Sequence, residues 1–482
     1  MSNETGTRAV VLGGSIAGLF AARVLSEAYD EVRIVDRDVL VGVKTPRKHC
    51  PQTRQANGIL ARGVQIMEEL FPGIVDELVA DGAFPGDLSG TCRWYAQGNR
   101  LKQQHGGLRT LGVLRPTLEF HIRERVQQLP NVVFVEEHDI LGLTTTADKS
   151  RVTGARIQAH GAKDDTVIEA DLVVDATGRG SRTPVWLEQL GYDKPEEERK
   201  KVDLVYITQH FKLRPGADPF VNDAAINQIP FPAQPRGHVF FKTDQDLLEM
   251  TTYGMLGDHP PTDQPGVWKW LKSFAARDVY NTLRYADPVD KAVAFRFPTT
   301  LRRHYQKLTR FPEGLLVTGD AVTCFNPVYA GGMSVAALCA ITMRSHLHSG
   351  AAPVPQDYFR DIAKYAIDAP WEMTTTVDLS FPGVEGDRPF KVRFGNWFLK
   401  KVQVAATRDG NITEQYFRAA GLIDPPSALQ RPGFFLKVLW KSLFGPSKES
   451  REPYVYQAPA GVEPWTEEPG APSDKKDLPR AA

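Results

Sequence analysis

Chemistry is written first into a glycine-rich run near the start of the chain, Gly13-Gly14-Ser15-Ile16-Ala17-Gly18, and into a carboxylate, Asp36, 23 residues after Gly13. A dinucleotide site needs a tight strand-to-helix turn, a small residue where backbone meets pyrophosphate, and a glycine where helix crosses strand. Gly13 and Gly18 suit the first and third roles, and Ser15 stands in place of the middle glycine. The helix N-terminus then offers free N–H groups and partial positive charge to the pyrophosphate. Asp36 would accept the adenosine ribose hydroxyls and repel a phosphorylated ribose, which favours FAD or NAD over NADP. Glycine turns of this kind also arise from packing alone, so a second motif must decide.

That motif lies far downstream: Gly319-Asp320-Ala321 after an apolar run, then Asn326-Pro327 and Gly331-Gly332-Met333. A strand would deliver Asp320 to a sheet edge, where a carboxylate can hold a ribityl hydroxyl. Pro327 breaks the chain, and Gly331 and Gly332 let backbone lie against a flat ring before a helix begins. A helix N-terminus there would stabilise the negative pyrimidine side of reduced flavin by up to about 2 kcal/mol. An NAD dehydrogenase has no use for this element, so the two motifs together point to FAD.

The elements that must position these residues are legible in the periodicity. Arg8 to Leu12 reads as a buried strand, followed by a helix with Ile16, Leu19, Phe20 and Val24 on one face, then a strand over Glu31–Val35. Helices are expected over Asn57–Leu70 and Pro116–Gln128, and strands over Asn131–Glu136, Val152–Ala159, Thr166–Glu169 and Leu172–Val174. From Val202 to about Ala294 the chain is strand-rich, with one tryptophan-bearing helix near Val267–Phe274. Leu315–Thr318 is a further buried strand, Gly332–His346 a helix, and helices dominate beyond residue 350 until Pro446.

Composition narrows the function classes. The chain has 482 residues, with Lys plus Arg equal to Asp plus Glu at 58 each, so the basic surplus of a nucleic-acid binder is absent. The four cysteines, Cys50, Cys92, Cys324 and Cys339, show no CxxC spacing, which argues against a disulfide framework or a metal site and fits a cytoplasmic protein. The apolar run at the N-terminus is broken by Gly13-Gly14 and reads as structure, not as a signal peptide. Phe434, Phe435, Leu436, Val438, Leu439, Trp440, Leu443 and Phe444, interleaved with Lys437 and Lys441, make a short amphipathic basic helix. Residues 434–444 could dock on the protein's own core or dip into a membrane surface.

In this order the motifs resemble the single-component flavin monooxygenases of the aromatic-hydroxylase superfamily (class A). Within it the likeness is to squalene-epoxidase-like and bacterial polyether-epoxidase-like enzymes. The resemblance runs over residues 8 to 445, and Gly319–Met333 is its most specific part. It implies an α/β fold: a Rossmann-like FAD-binding domain of the glutathione-reductase type, interrupted by a β-sheet substrate domain and followed by a C-terminal helical segment. The expected boundaries are 1–78, 107–185 and 296–350 for the FAD-binding domain, and 79–106 with 186–295 for the substrate domain. The helical segment would be 351–445, and 446–482, with seven prolines, a disordered or loosely attached tail.

Carried over residue by residue, the resemblance puts Asp36 and Arg37 at the adenosine ribose, Arg47 near the flavin, and Arg115, in Arg115-Pro116-Thr117-Leu118-Glu119, at the FAD phosphates. Asp320 and Met333 fall on flavin-binding positions. There are departures: Gln55-Ala56-Asn57 replaces a His-x-His, Ala330 replaces a glycine, and Thr177-Gly178 replaces an Asp-Gly pair tied to FAD and NAD(P)H handling. The last leaves open whether NADH or NADPH reduces the flavin directly or through a separate flavin reductase.

The chemistry implied is oxygen transfer from a flavin C4a-hydroperoxide, made from O2, to a small lipophilic secondary metabolite. An isoprenoid, a prenylated aromatic or a polyene polyketide would be epoxidised or hydroxylated. The cofactor does the hard chemistry, so no Ser-His-Asp or paired-carboxylate constellation is needed and no catalytic residue is assigned. The loops near Phe84–Trp94 and the strand residues Phe240, Phe241, Tyr253, Phe295 and Phe297 are candidate pocket walls. Trp268 and Trp270 resemble the paired tryptophans of flavin halogenases, but Lys272-Ser273 stands where Ile-Pro should follow, and helix packing is expected. The alternatives are a flavin-dependent reductase of the geranylgeranyl-reductase type and a non-enzymatic prenyl-binding module like the Rab escort proteins.

Overall fold

The computed structural model describes residues 6–348, 350–452, 454 and 456–464. Its centre is a five-stranded parallel sheet in the order Leu315–Val317, Leu172–Asp175, Arg8–Leu12, Glu31–Val35, Val132–Val135. These strands are nearly continuous apolar runs because helices cover both faces. Helices Ile16–Leu25 and Gly332–Leu347 pack against each other and the sheet, with Leu19, Phe20, Ala337 and Met343 buried in one core. The register aligns Leu12 with Val35 and Asp175, and Asp175 with Val317. The turn at Gly13, Asp36, the loop after Asp175 and Gly319-Asp320 therefore all leave the same edge, where ligands of doubly wound sheets sit.

A three-stranded antiparallel sheet, His138–Thr145, Val152–Ala159 and Thr166–Glu169, adds Ala155, Ile157 and Ile168 to the same core. The largest sheet has eight strands. Along it run Ala286–Pro288, Lys201–Leu213, Leu248–Gly254, Arg236–Lys242, Ala225–Gln228, Cys92–Ala96 and Asn99–Arg100, with Val293–Thr299 also paired to Lys201–Leu213. One face buries Phe211, Phe240 and Met250 against helices Gln264–Lys272 and Asp278–Leu283. The other face presents Tyr206, Tyr253 and Phe297 to Cys324 and to Leu379, Phe381 and Val384.

After Pro355–Ile362 the chain passes through one π-helical turn, Ala363–Ile367, into helix Asp368–Asp378. Helices Phe390–Ala406, Gly410–Ala420 and Pro432–Ser442 then close the molecule around Phe398, Val402, Ile412, Phe417 and Val438. No described helix is long and apolar enough to cross a membrane.

Two expectations differ from the fold. The helix expected from Asn57 begins at Ala61, because residues 51–54 form a 3-10 turn and Gln55 is extended and tied to the eight-stranded sheet through Thr208. The tail expected to be disordered from residue 446 is docked where it is described. Arg93 lies over the Tyr454 ring at 3.8 Å, the Tyr456 hydroxyl accepts from Asp218 N at 2.8 Å, and the Glu463 carbonyl accepts from Arg214 at 2.9 Å. These aromatic and cationic contacts hold a segment whose composition alone would not fold; 465–482 lies outside the described residues.

Candidate functional site

The first turn is built on positions that exclude a side chain. Gly13 has φ of +102°, and a Cβ there would stand 2.7 Å from the Ala176 carbonyl oxygen. A Cβ at Gly18 would stand 1.8 Å from the Gly13 carbonyl oxygen, so only glycine lets the helix sit on the strand. Asp36 braces this turn: its Oδ2 accepts from Gly14 N at 2.7 Å and its Oδ1 from Asp38 N at 2.8 Å. Ser15 occupies the N-cap of helix Ile16–Leu25 but its hydroxyl caps nothing. It donates instead to Glu119 at 2.6 Å and accepts from Arg115 at 3.2 Å.

Beside the turn lies a buried charge network. Arg47 meets Glu119 at 3.0 Å, Asp38 at 3.2 Å and Asp36 at 3.7 Å. Arg115 donates to Glu119 at 2.9 Å and to Asn57 at 3.2 Å. Burial alone would raise the Glu119 carboxyl, but Arg115 and Arg47, helped by the Ser15 hydroxyl, bring it down to about 2. Burial works against the Arg47 cation too, and Glu119 leads the groups that overcome it. His49 reaches Asp38 at 2.6 Å, and the Cys50 thiol, raised by burial, sits 3.9 Å from Ser15 Oγ. Arg37 stands apart, exposed and paired with Asp139 at 2.8 Å.

Gly319, at φ of +62°, brings the second motif against the first: a Cβ there would stand 2.6 Å from the Ala17 Cβ. Asp320 follows, its carboxyl raised by burial and receiving, among the described residues, only a thiol donor, Cys324 Sγ at 3.7 Å. Glycines ring it. A Cβ at Gly332 would be 3.8 Å from Asp320 Oδ1, one at Gly178 would be 4.0 Å from the Asp320 Cβ, and none at Gly180 or Gly331 would meet anything within 4 Å. A carboxyl short of donors and surrounded by open glycines fits a flexible chain of hydroxyls, as in the ribityl arm of FAD.

Pro327 opens a 3-10 turn that ends on Ala330 in the left-handed region at φ of +53°. Gly58 lies opposite, where a Cβ would stand 3.0 Å from the Ala330 Cβ, and Leu60 N donates to Ser334 Oγ at 2.9 Å. Gly331 caps helix Gly332–Leu347, and the Met333 side chain is buried in the main core.

Several site residues carried no sequence signal. Asp378 accepts from Tyr329 at 2.7 Å and from Asn326 at 2.9 Å, pinning the loop between Asp320 and Gly331, and burial pushes its carboxyl up to about 6. Asp175 accepts from the amide and hydroxyl of Thr177 and from Ser181 and Thr183 at 2.5–2.9 Å, which closes the loop that departs from the Asp-Gly pattern. Arg179 on that loop donates to Thr299 at 2.7 Å and lies 4.9 Å over the Phe297 ring, and its buried Nη1 has no hydrogen-bond partner among the described residues.

Gln55, in place of an expected histidine, accepts from Thr208 at 2.8 Å, and Thr208 meets Thr251 across the strands at 2.5 Å. On this face Tyr206 stands opposite Tyr253, Thr208 opposite Thr251, and His210 opposite Glu249. Glu249 is buried with His210 Nε2 at 3.9 Å, and burial pushes its carboxyl up to about 7. His210 in turn binds Asp290 at 2.6 Å.

Of the candidate wall residues, Tyr253, Phe295 and Phe297 share one cluster with Cys324 and Val328, next to Asp320. Phe241 approaches Gly112, whose Cβ would lie 3.6 Å from the ring. Phe240 points the other way, fully buried against Phe211 and Phe220, because its neighbour in the strand takes the site-facing position. Trp268 and Trp270 also lie in that outer core, against Tyr280 and Phe274.

Comparison with known proteins agrees with this geometry. Residues 6–349 match the FAD binding domain family. Protein Rv3254 of Mycobacterium tuberculosis is 31% identical over 434 residues, covering 86% of this chain and 90% of its own. Among solved structures, the flavin-dependent brominase Bmp2 superposes with a TM-score of 0.62 at 12% identity, over 91% of this chain and 99% of its own. The p-nitrophenol 4-monooxygenase PnpA of Pseudomonas putida DLL-E4 gives 0.58 at 14% identity, over 87% and 99%. A flavoprotein/dehydrogenase from Cytophaga hutchinsonii gives 0.63 at 13% identity, over 91% and 98%. At such identities these structures share the fold alone. By its match over residues 6–349 and its kinship with the mycobacterial protein, the chain belongs to the FAD binding domain family.

Proposed function

We propose that this protein is an FAD-dependent monooxygenase that epoxidises or hydroxylates a small lipophilic secondary metabolite, an isoprenoid, prenylated aromatic or polyene polyketide. NADH or NADPH supplies the electrons, directly or through a flavin reductase. The observation that supports this reading is the apolar cluster beside Asp320, in which Tyr206, Tyr253, Phe295 and Phe297 of the eight-stranded sheet pack with Cys324 and Val328. A lipophilic carbon skeleton held there would be kept from water next to the redox centre.

FAD, when bound, supplies the activation of O2. The residues of the chain do the rest. The N-terminus of helix Ile16–Leu25, with Ser15 and Arg115, takes the pyrophosphate, and Asp36 takes the adenosine ribose. Arg47 neutralises the acids around that end and holds Glu119 in place. Asp320 accepts a ribityl hydroxyl. The Pro327 turn and Gly331-Gly332 would leave room for the flat ring, and the helix N-terminus at Gly332 and Met333 would stabilise negative charge on it. Asp378 keeps that loop in one conformation through Asn326 and Tyr329.

The test is an absorption spectrum of the purified protein, then NADH or NADPH addition in air and under argon, followed by turnover of prenylated and polyene substrates in 18O2. Bound flavin with one labelled oxygen in the product is the expected result. Flavin chemistry that proceeds equally under argon would replace this function by a reductase. Failure to hold FAD would leave a binding module.

A further inference from the structure

Among the described residues, every exposed phenylalanine, leucine and tryptophan lies on helices Phe390–Ala406 and Pro432–Ser442 or the turn that ends the second. Phe390 is 73% exposed and Trp397 43% on the first; Leu436 is 65%, Trp440 63%, Leu443 72% and Phe444 56% on and after the second. At helical spacing Phe390 and Trp397 share a face, and so do Leu436, Trp440 and Leu443. The two helices are locked together on their inner sides by Phe398 and Phe435, with ring centroids 4.9 Å apart, and by Phe394 and Phe435 at 6.3 Å.

The charge on these helices has one sign. The first carries Lys391, Arg393, Lys400 and Lys401, the second Lys437 and Lys441, and neither carries an Asp or Glu. Lys437 finds Asp409 at 3.0 Å and Lys391 pairs with Glu372, whereas Arg393, Lys400 and Lys401 make no ion pair with described residues. Exposed Trp, Phe and Leu flanked by lysine and arginine match the water–lipid boundary, where aromatic rings sit at headgroup level and cations are drawn to an anionic surface.

The described tail leaves this patch uncovered. Arg408 holds the carbonyls of Phe444, Gly445 and Pro446, and the chain then crosses to Arg100, Arg93 and Arg214 along the substrate sheet. Inward from the patch the aromatic packing continues. Phe398 and Phe435 share a cluster with Phe417, Phe417 meets Trp94 at 4.7 Å and Tyr416 at 4.9 Å, and Tyr416 lies close enough to Tyr329 to act on its phenol.

We infer that helices Phe390–Ala406 and Pro432–Ser442 together form a docking surface for an anionic lipid bilayer, from which a lipophilic substrate enters along the aromatic path toward Tyr329. The docking stands on the patch itself; the entry route rests on the proposed monooxygenase function.

Cosedimentation of the full-length holoprotein with vesicles tests it. Vesicles of phosphatidylcholine with roughly one-third phosphatidylglycerol should bind at least about tenfold more protein than phosphatidylcholine alone, with salt weakening the binding. Leu443→Glu with Trp440→Glu should abolish binding, and Lys400→Glu with Lys401→Glu should remove the preference for anionic lipid. All four side chains are outside the core, and circular dichroism checks that the variants fold. Absence of binding to either vesicle overturns the inference. So does a concentration-dependent dimer that the same Leu443 and Trp440 variants dissolve, or binding that appears only when residues 465–482 are removed. These assays read no turnover, so the lipid surface and the oxygenase activity fail separately.

Discussion

The Ser15 hydroxyl donates to the Glu119 carboxylate at 2.6 Å across 104 residues of sequence, and Arg115 donates to both. The helix-capping position of the dinucleotide turn is thereby handed to a buried ion cluster. Its own first-turn amides receive no side-chain acceptor and stay available for a phosphate.

Glu119→Gln should therefore do more than remove one hydrogen bond. It leaves Arg47 and Arg115 facing each other without their shared anion, at an expected loss of about 3–5 kcal/mol. The wild-type contribution has a definite pH window. The native carboxyl titrates at about 2, below its ordinary 4.5, so its stabilisation is present above pH 4.5 and is lost as the pH falls through 2. Thermal unfolding of the two proteins between pH 2 and 7 should show the gap narrowing below pH 4.5 and closing toward pH 2.

Glu249 has the opposite sign. Burial lifts its carboxyl from 4.5 to about 7, so the protonated form is favoured in the folded protein. Its contribution to stability is full below pH 4.5 and is lost as the pH rises through 7. His210, Asp244 and Asp290 are the charged groups that act on it. Glu249→Gln should raise Tm by roughly 2–4 °C at pH 8 and leave it unchanged at pH 4. Equal shifts at both pH values would show that folding does not raise the carboxyl above its ordinary range.

Asp320→Ala removes the acceptor offered to the ribityl chain while leaving the fold intact, since among the described residues only the Cys324 thiol donates to it. FAD affinity, read by quenching of flavin fluorescence, should fall by about 10–100-fold. Asp320→Asn should fall between the two, because it keeps one neutral acceptor.

Gly18→Ala would place a methyl 1.8 Å from a backbone carbonyl that cannot swing aside. The helix would have to lift from the strand Arg8–Leu12, with an expected cost of about 2–3 kcal/mol and loss of retained flavin. Gly331→Ala, at a position with nothing within 4 Å of the new methyl, should leave stability unchanged. The flavin content of the two purified variants then separates packing from cofactor approach.

What the sequence determined by itself is local geometry. Backbone at Gly13, Gly18 and Gly319 has no room for a side chain, so the residue type announces the turn, and apolar runs such as Arg8–Leu12 announce a sheet covered on both sides. Tertiary structure decided which residues meet. Strand alternation puts Phe240 and Phe241 on opposite faces, but both faces of that sheet are covered, so nothing in the pattern says which one looks into the site. Asp378 reads as one more helix residue until folding sets it against Asn326 and Tyr329, 52 and 49 positions away. Basic amphipathic residues 434–444 left core docking and membrane contact open, and the fold splits the segment: Phe435 and Val438 pack inward while Leu436 and Trp440 stay out. Local sterics act within a few residues, whereas burial of a carboxyl or an aromatic ring depends on chain segments brought together only by the collapse of the whole core.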